Sequence, residues 1–263
     1  MKYIDYFLLA ISLIFLAPNF IDYNIVETAG ERLPTDKFDT SLLKLNTLSK
    51  LITYVDSTAF VKKIIPGSLD YAIEAKEVIS NRFYHKYASQ NLNENWMASV
   101  AQKITGLYLY SKITADDILT KPYGYCGQQN TVLMELFQQK KLDCRVLYLP
   151  HHFVIQSFIA GNWQYFDANA EPDIPKAQRA NESWFKNIDT LAVAYKRDIK
   201  WVENTFGNPV VFEYGQINEV QGPHAQIFQA ITKWLSKLVF IFPLLWFVYL
   251  KRKKSTRATL YTK

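Results

Sequence analysis

The sequence predicts an α+β fold in which a cysteine-bearing helix packs on an antiparallel sheet. Apolar residues recur with helical periodicity through much of the first half of the chain. Three strand-like runs then follow one another at 144–149, 152–159 and 163–168, and Ala-Gly-Asn joins the last two as a hairpin turn. Apolar residues make up 49% of the chain and charged residues 21%, which favours a buried core over disorder.

The N-terminal element is an apolar run, residues 6–21, which has no charge and follows Lys2 and Asp5 closely. We interpret residues 1–21 as a membrane anchor. A cleaved signal peptide is the alternative, but no clear small-x-small cleavage site follows the run.

A second apolar run, residues 238–250, leads directly into a Lys-Arg-Lys-Lys cluster. Extending it back to residue 231 gives the roughly 20 residues that a spanning helix needs, because Trp234 and Lys237 suit the membrane interface. A buried core helix is the alternative, and the adjoining basic cluster argues against it. We therefore expect two transmembrane helices that flank the fold, the second at 231–250.

The positive-inside rule then places the basic tail, residues 251–263, in the cytoplasm and the residues between the helices outside it. A short chain without a disulfide framework favours a bacterial inner membrane, with the domain facing the periplasm or the exterior. The lipid bilayer is thus one expected partner, and membrane proteins are a further possibility.

The net charge of +6 lies in the C-terminal tail rather than in the body of the chain. Six basic residues and no acid occur there, so residues 1–250 are electrically balanced: Lys251, Arg252, Lys253, Lys254, Arg257 and Lys263. A nucleic-acid-binding protein would spread basic residues over a folded face. We exclude nucleic acid as a partner.

Between the apolar runs, residues 22–67 are predicted to be a linker with a helix at about 41–55, and residues 68–230 to be the main domain, with its core at 121–170. Helix-period positions over 68–88 and 93–111 predict a helical subdomain at its start. After the core, a helix at about 183–195 and a strand at about 210–214 complete the domain.

The residues that suggest chemistry begin at Cys126, which follows a Gly-containing loop and opens a helix predicted at 127–140. A helix N-terminus stabilises a thiolate, and its unpaired N–H groups can donate to an oxyanion. Such a nucleophile needs a base and a group that orients the base. His152 and Asp167 occupy neighbouring strands of the predicted hairpin.

Strand parity selects His152 over His151. If Ala160 and Gly161 form a two-residue loop, Asp167 lies opposite Val154 and on the same face as His152. A three-residue loop would reverse the parity and favour His151.

Four ordered blocks of this sequence resemble the transglutaminase-like superfamily, within the papain-like cysteine enzymes. They are Gly-Tyr-Cys at 124–126, Lys-Leu-Asp-Cys-Arg-Val at 141–146, His-Phe-Val-Ile-Gln at 152–156 and Gly-Asn-Trp-Gln-Tyr-Phe-Asp at 161–167. Together they cover about a sixth of the chain. The resemblance implies a divergent member with a papain-like core.

The chain departs from the family's pattern at four positions. Lys141 stands where the family prefers Gly, and Asn130 stands where a small residue is usual. Ala168 follows the aspartate where Pro is common, and Gln156 replaces Glu. None of the departures removes Cys126, His152 or Asp167.

The resemblance implies thiol acyl transfer on a protein or peptide amide, ending in crosslinking, deamidation, peptide hydrolysis or amide transfer. Cys126 is the expected nucleophile, His152 the base and Asp167 the orienting acid, and no cofactor is expected. The departures and the two expected membrane helices motivate an alternative, a catalytically silent binding module within a membrane or envelope assembly.

Other candidates are weighed beside this triad. Tyr125 and Gln128 are candidate oxyanion donors, and neighbouring Tyr123 is not distinguished from them by sequence. His151 is a candidate substrate contact or a strand-edge residue. Cys144 lies in an apolar strand and is expected in the core, with a disulfide to Cys126 as the alternative. A zinc site from the two adjacent histidines and His85 or His224 lacks metal-ligand spacing, so no metal is expected.

Overall fold

The computed structural model describes residues 2–25, 37–107, 109–170 and 172–261. The helices are α1 Lys2–Leu16, α2 Leu48–Val61, α3 Leu69–Arg82, α4 Leu92–Thr105, α5 Ala115–Ile118, α6 Cys126–Gln139, α7 Glu182–Phe185, α8 Ile188–Tyr195, α9 Ile199–Phe206, α10 Pro223–Leu238 and α11 Ile241–Tyr261. The strands are β1 Tyr84–His85, β2 Tyr123–Gly124, β3 Cys144–Leu149, β4 His152–Ile159, β5 Asn162–Phe166 and β6 Glu213–Tyr214. Short 3₁₀ turns lie at Ala17–Phe20, Thr40–Lys44 and Lys176–Gln178.

Contacts along the chain divide it into two compact units. Unit 1 comprises residues 1–27, 89–111 and 223–263, and unit 2 comprises residues 28–88 and 112–222. The domain boundaries predicted from the sequence were linear, and segment 89–111, which was predicted to belong to the main domain, falls in unit 1. Within unit 1, α1 packs against α11, and α4 packs against α10.

Unit 2 contains a four-stranded antiparallel sheet in the order β5-β4-β3-β6, which confirms the α+β class. One face of the sheet carries Val146, Ile155 and Phe166, which pack in a core with α2, α3 and α6. The other face carries Leu147, Val154 and Tyr165, which pack with α7, α8 and α9. The sheet is therefore buried on both faces, and its strands read as apolar runs for that reason.

The β4–β5 hairpin has the predicted two-residue loop. Ile159 pairs with Asn162 and Ile155 pairs with Phe166, so only Ala160 and Gly161 lie in the turn. Both have positive φ, 52° and 81°, the backbone of a type I′ hairpin turn. This register places Asp167 and His152 on the same face of the sheet, as the parity argument predicted.

Several predicted helices end or restart at capping residues. The helix predicted at 93–111 ends at Thr105, where Gly106 adopts φ 72° as a left-handed C-cap. The helix predicted at 183–195 divides into α7 and α8 because the Asn187 side chain accepts a hydrogen bond from Thr190 N and starts a new helix. Helix α9 was not predicted; Asp198 caps it through Trp201 N.

The expectation of two transmembrane helices is corrected. In the described part of the chain, one helical stretch, Pro223–Lys254, is long and apolar enough to cross a membrane. The N-terminal apolar helix covers only Ile4–Phe20, and 17 residues at 1.5 Å each give about 25 Å, short of the ~30 Å hydrocarbon core. The C-terminal stretch also begins earlier than the predicted 231–250.

Candidate functional site

Cys126 is the first residue of α6, and its side chain is 7% exposed. The first hydrogen bond of the helix runs from Gln129 N to Tyr125 O. The backbone N–H groups of residues 126–128 therefore precede the helical ladder, at the end of α6 where Cys126 lies. The positive end of a helix dipole attracts negative charge.

His152 and Asp167 form a buried pair where β4 begins and β5 ends. The distance from His152 Nε2 to Asp167 Oδ2 is 2.6 Å, and the two side chains are 4% and 0% exposed. The Cys126 sulfur lies close enough to the His152 ring for its charge to raise the pKa of His152. Since Asp167 occupies Nε2, Nδ1 is the nitrogen left to face the sulfur. The structure thus brings together all three residues of the predicted triad.

The electrostatics of the pair favour an imidazolium beside a carboxylate. Burial lowers the pKa of His152, but the charge and hydrogen bond of Asp167, with smaller contributions from Cys126, outweigh it and raise that pKa to about 10. Burial likewise raises the pKa of Asp167, while His152, Asn169 N–H and the Tyr195 hydroxyl bring it down to about 2. Asp167 therefore stays ionised and holds the proton on the imidazole.

Four further donors hold the Asp167 carboxylate in place. Oδ1 accepts from the backbone N–H of Asn169 at 2.9 Å and, at 3.4 Å, from Ala170 N and Asn130 Nδ2. Oδ2 accepts from the Tyr195 hydroxyl at 2.9 Å, and that hydroxyl lies 2.7 Å from the Tyr165 hydroxyl. These bonds fix which carboxylate oxygen faces His152.

Asn130 links the cysteine helix to the strands that carry the other two residues. Its Nδ2 donates to Cys126 O at 3.1 Å and to Phe153 O at 2.7 Å, and its Oδ1 accepts from Ala168 N at 2.9 Å. The side chain is fully buried. One turn of α6 therefore separates Cys126 from the amide that fixes the helix against the sheet.

The two candidate oxyanion donors have different surroundings. Both N–H groups of the Gln128 amide are taken by carbonyls, Ala88 O at 2.6 Å and Lys112 O at 2.9 Å, and its Oε1 accepts from Tyr125 N. Tyr125 is partly exposed, and its phenol is close enough to Cys126 for the sulfur's charge to add to burial in raising the phenol pKa. The amide of Gln128 is thus used to anchor α6.

The remaining candidates lie outside the triad. His151 is exposed in the β3–β4 turn, where its backbone N–H donates to Thr205 O. Cys144 is fully buried in the core, as predicted; both cysteines are free, and burial raises the Cys144 pKa to about 12. No group of three or more His, Cys, Asp or Glu side chains within the described ranges is arranged to hold a metal ion.

Three groups that surround the triad were not predicted from the sequence. Tyr195 lies 28 residues beyond Asp167 on a separate helix, and no local pattern indicated it. The His85 ring lies against the Tyr125 ring at a tilt of 44°, with ring centroids 4.5 Å apart, and its Nδ1 lies 2.7 Å from Asn169 Oδ1. Asn130 was noticed only as a departure from the family's pattern, although a polar residue four positions after Cys126 on a buried helix face is itself a signal.

The chain was compared with protein-family models, curated proteins and solved structures. No protein-family model, no curated protein and no solved structure matches the chain.

Proposed function

We propose that unit 2 is a divergent transglutaminase-like domain with a papain-like core, and that it transfers acyl groups from protein or peptide amides through Cys126. The observation that carries the proposal is the bond network of the triad. A cysteine at a helix N-terminus lies beside a buried histidine, whose Nε2 lies 2.6 Å from an ionised aspartate. This arrangement supports thiol nucleophilic catalysis.

In the proposed reaction, the Cys126 thiolate attacks the amide carbonyl carbon, and the carbonyl electrons move onto the oxygen. As the tetrahedral intermediate collapses, the C–N bond breaks and the His152 imidazolium gives its proton to the departing amine. A thioester remains on Cys126. His152 then takes a proton from an incoming amine or water, which attacks the thioester carbon. The C–S bond breaks, the acyl product leaves, and Cys126 returns to the thiolate beside the imidazolium. Asp167 keeps the imidazole oriented throughout.

The developing oxyanion needs donors close to the sulfur. The N–H groups at the start of α6 are one source, because the helical ladder leaves them without an intrahelical acceptor. We infer that the Tyr125 hydroxyl is the side-chain donor. Burial and then the charge of nearby Cys126 raise the pKa of the Tyr125 phenol, whereas the Gln128 amide already donates to two carbonyls.

We further propose that the domain works outside the cytoplasm at a bacterial inner membrane. The stretch Pro223–Lys254 supports attachment to a bilayer, and its basic end supports a cytoplasmic C-terminus by the positive-inside rule. A substrate located outside the cytoplasm follows from that orientation.

The proposal is tested with the full chain purified in detergent, casein as the amide donor and a fluorescent primary amine as acceptor. Amine incorporation, ammonia release and peptide cleavage are measured in parallel. We expect at least one of these products with the natural chain and with Cys144→Ala, and none with Cys126→Ala. Equal product formation by the natural chain and Cys126→Ala would overturn the proposal.

One observation favours the alternative of a silent binding module. Cys126 is only 7% exposed, so a substrate carbonyl has little of the sulfur to approach. Under this alternative the network stabilises the fold. It predicts that Cys126→Ala supports the cellular role of the protein as well as the natural chain does, and that no product forms in any of the three assays.

A further inference from the structure

A basic cavity lies in unit 2, apart from the triad. It has a volume of about 360 Å³, and its described lining carries five cationic side chains, Lys37, Lys76, Lys176, Arg179 and Lys196, against two acidic ones, Glu77 and Asp173. Ile73, Pro172 and Ile174 supply apolar wall. A pocket of this size suits a small molecule more than a single ion.

Arg179 is the buried element of this lining. The side chain is 4% exposed, its Nη1 donates to Tyr165 O at 2.8 Å, and its guanidinium lies over the Phe166 ring. Among the described residues, its Nε has no hydrogen-bond acceptor. A buried donor without an acceptor is uncommon in folded proteins, and an oxygen of a bound anion would satisfy the unmet donor capacity of this guanidinium.

The four lysines of the lining, Lys37, Lys76, Lys176 and Lys196, come from four separate places in the chain. Lys76 is nearly buried on α3, whereas Lys176 and Lys196 are exposed on the two segments that follow β5. Lys176 forms an ion pair with Asp70, which partly neutralises the positive charge of Lys176. Lys196 adopts a left-handed backbone, φ 53°, directly after α8. Folding thus brings together positive charges that are distant in the sequence, and no single basic segment supplies them.

We propose that this cavity binds a multiply charged organic oxyanion, such as a molecule that carries a diphosphate or several carboxylates. The guanidinium of Arg179 suits oxygens of either group, and the lysines neutralise the remaining charge. The apolar wall covers the organic part of the ligand. The site is independent of Cys126, so binding does not depend on the proposed acyl transfer.

The test is calorimetric titration of the full chain in a zwitterionic detergent with pyrophosphate and, separately, with citrate. Sodium chloride at the same ionic strength serves as the reference. We expect saturable binding of at least one probe and none of chloride, and the preferred probe identifies the phosphate or the carboxylate class. Absence of saturable binding by both probes would overturn the proposal.

The variant Lys196→Asn removes one lining charge and keeps a residue type that tolerates positive φ. It should weaken binding about tenfold by loss of one charge close to the ligand. Lys63→Asn is the matched control, because Lys63 has φ 56°, is exposed and does not line the cavity. Equal affinities of the two variants would place the probe elsewhere and contradict the assignment.

Two further arms complete the test. Cys126→Ala must bind the probe as the natural chain does, which separates this site from the proposed acyl transfer. In nanodiscs, weaker pyrophosphate binding with phosphatidylglycerol than with phosphatidylcholine alone identifies a lipid headgroup as the source of the phosphate. Unchanged binding identifies a soluble anion.

Discussion

At the residue scale, two of the positions at which the sequence departs from the transglutaminase-like pattern are bonded to each other. Asn130 stands where a small residue is usual, and Ala168 stands where proline is common. The backbone N–H of Ala168 donates to Asn130 Oδ1 at 2.9 Å, and a proline would have no N–H to give. In the same way, Gln156 lies directly opposite Arg145 and accepts from its Nε at 2.8 Å. We read these departures as a local rearrangement that keeps the cysteine helix on the sheet.

This reading predicts that Asn130→Ala is strongly destabilising. The substitution leaves Ala168 N and Phe153 O without their buried partner, and the free energy of unfolding should fall by about 2–3 kcal/mol. Denaturant unfolding of the full chain in detergent measures the loss. Asn46→Ala, at an exposed asparagine that bonds only Lys50 among the contacts described here, should change stability by less than about 0.5 kcal/mol. Similar losses for both variants would refute the role of Asn130.

The His152–Asp167 pair predicts a pH dependence of stability. The folded pKa of His152 is raised from 6.5 to about 10, so its contribution is complete below pH 6.5 and is lost as the pH rises toward 10. The folded pKa of Asp167 is lowered from 3.8 to about 2, so its contribution is complete above pH 3.8 and is lost as the pH falls toward 2. Both contributions are complete between about pH 4 and 6.5.

Accordingly, the stability difference between the natural chain and Asp167→Asn should be largest between about pH 4 and 6.5 and should shrink toward pH 10. Urea unfolding at a series of pH values gives this difference. A difference that grows between pH 7 and 10 would show that the imidazole is not held protonated by the carboxylate.

At the element scale, the sheet and the cysteine helix were predictable, and several connections were not. The three consecutive strand runs, the two-residue hairpin loop and the start of α6 follow from alternation, turn chemistry and breakers within short windows. The order β5-β4-β3-β6 does not, because the pairing of β6 with β3 joins distant parts of the chain. Helices α8 and α9 begin after the capping residues Asn187 and Asp198. Each helix is only eight residues long, so its apolar residues span too few turns to show a clear helical periodicity. Tyr195 reaches Asp167 only through tertiary packing, so local sequence could not indicate it.

The connection from α6 to β3 contains Lys141, which stands where the transglutaminase-like pattern has glycine. Lys141 has φ 59°, a left-handed conformation that costs a residue with a side chain roughly 1–2 kcal/mol. Lys141→Gly should therefore raise the free energy of unfolding by about 0.5–1 kcal/mol, after the larger chain entropy of glycine in the unfolded state is subtracted. Lys44→Gly, at a position without positive φ, should lower it. A loss of stability in both variants would contradict the strain at Lys141.

At the scale of the whole molecule, the sequence predicted membrane attachment but overstated the number of spanning helices. A window of apolar residues measures hydrophobicity, whereas crossing a bilayer also needs length, and the helix at Ile4–Phe20 is too short. Residues 89–111 belong to the same unit as both terminal segments. Contacts between residues distant in sequence place them there, and a local sequence pattern cannot predict such contacts.

Membrane attachment through the C-terminal stretch is directly testable. Lysine at both Phe242 and Leu245, which are exposed apolar residues of α11, should release the chain from membranes during alkaline carbonate extraction, since each lysine costs about 2.5–3.5 kcal/mol in a bilayer centre. Lysine at both Val193 and Ile199, exposed apolar residues of unit 2, is the control and should leave the chain in the membrane fraction. Equal retention of the two double variants would exclude this stretch as the anchor.

The activation of Cys126 by the buried pair is tested most directly by its rate of alkylation with iodoacetamide near pH 6.5, measured by mass spectrometry on the folded full chain. We expect fast labelling of the natural chain and of Cys144→Ala, labelling that is roughly ten- to a hundredfold slower in Asp167→Asn, and no labelling in Cys126→Ala. Labelling of Cys126 at the same rate in the natural chain and in Asp167→Asn would contradict the activation.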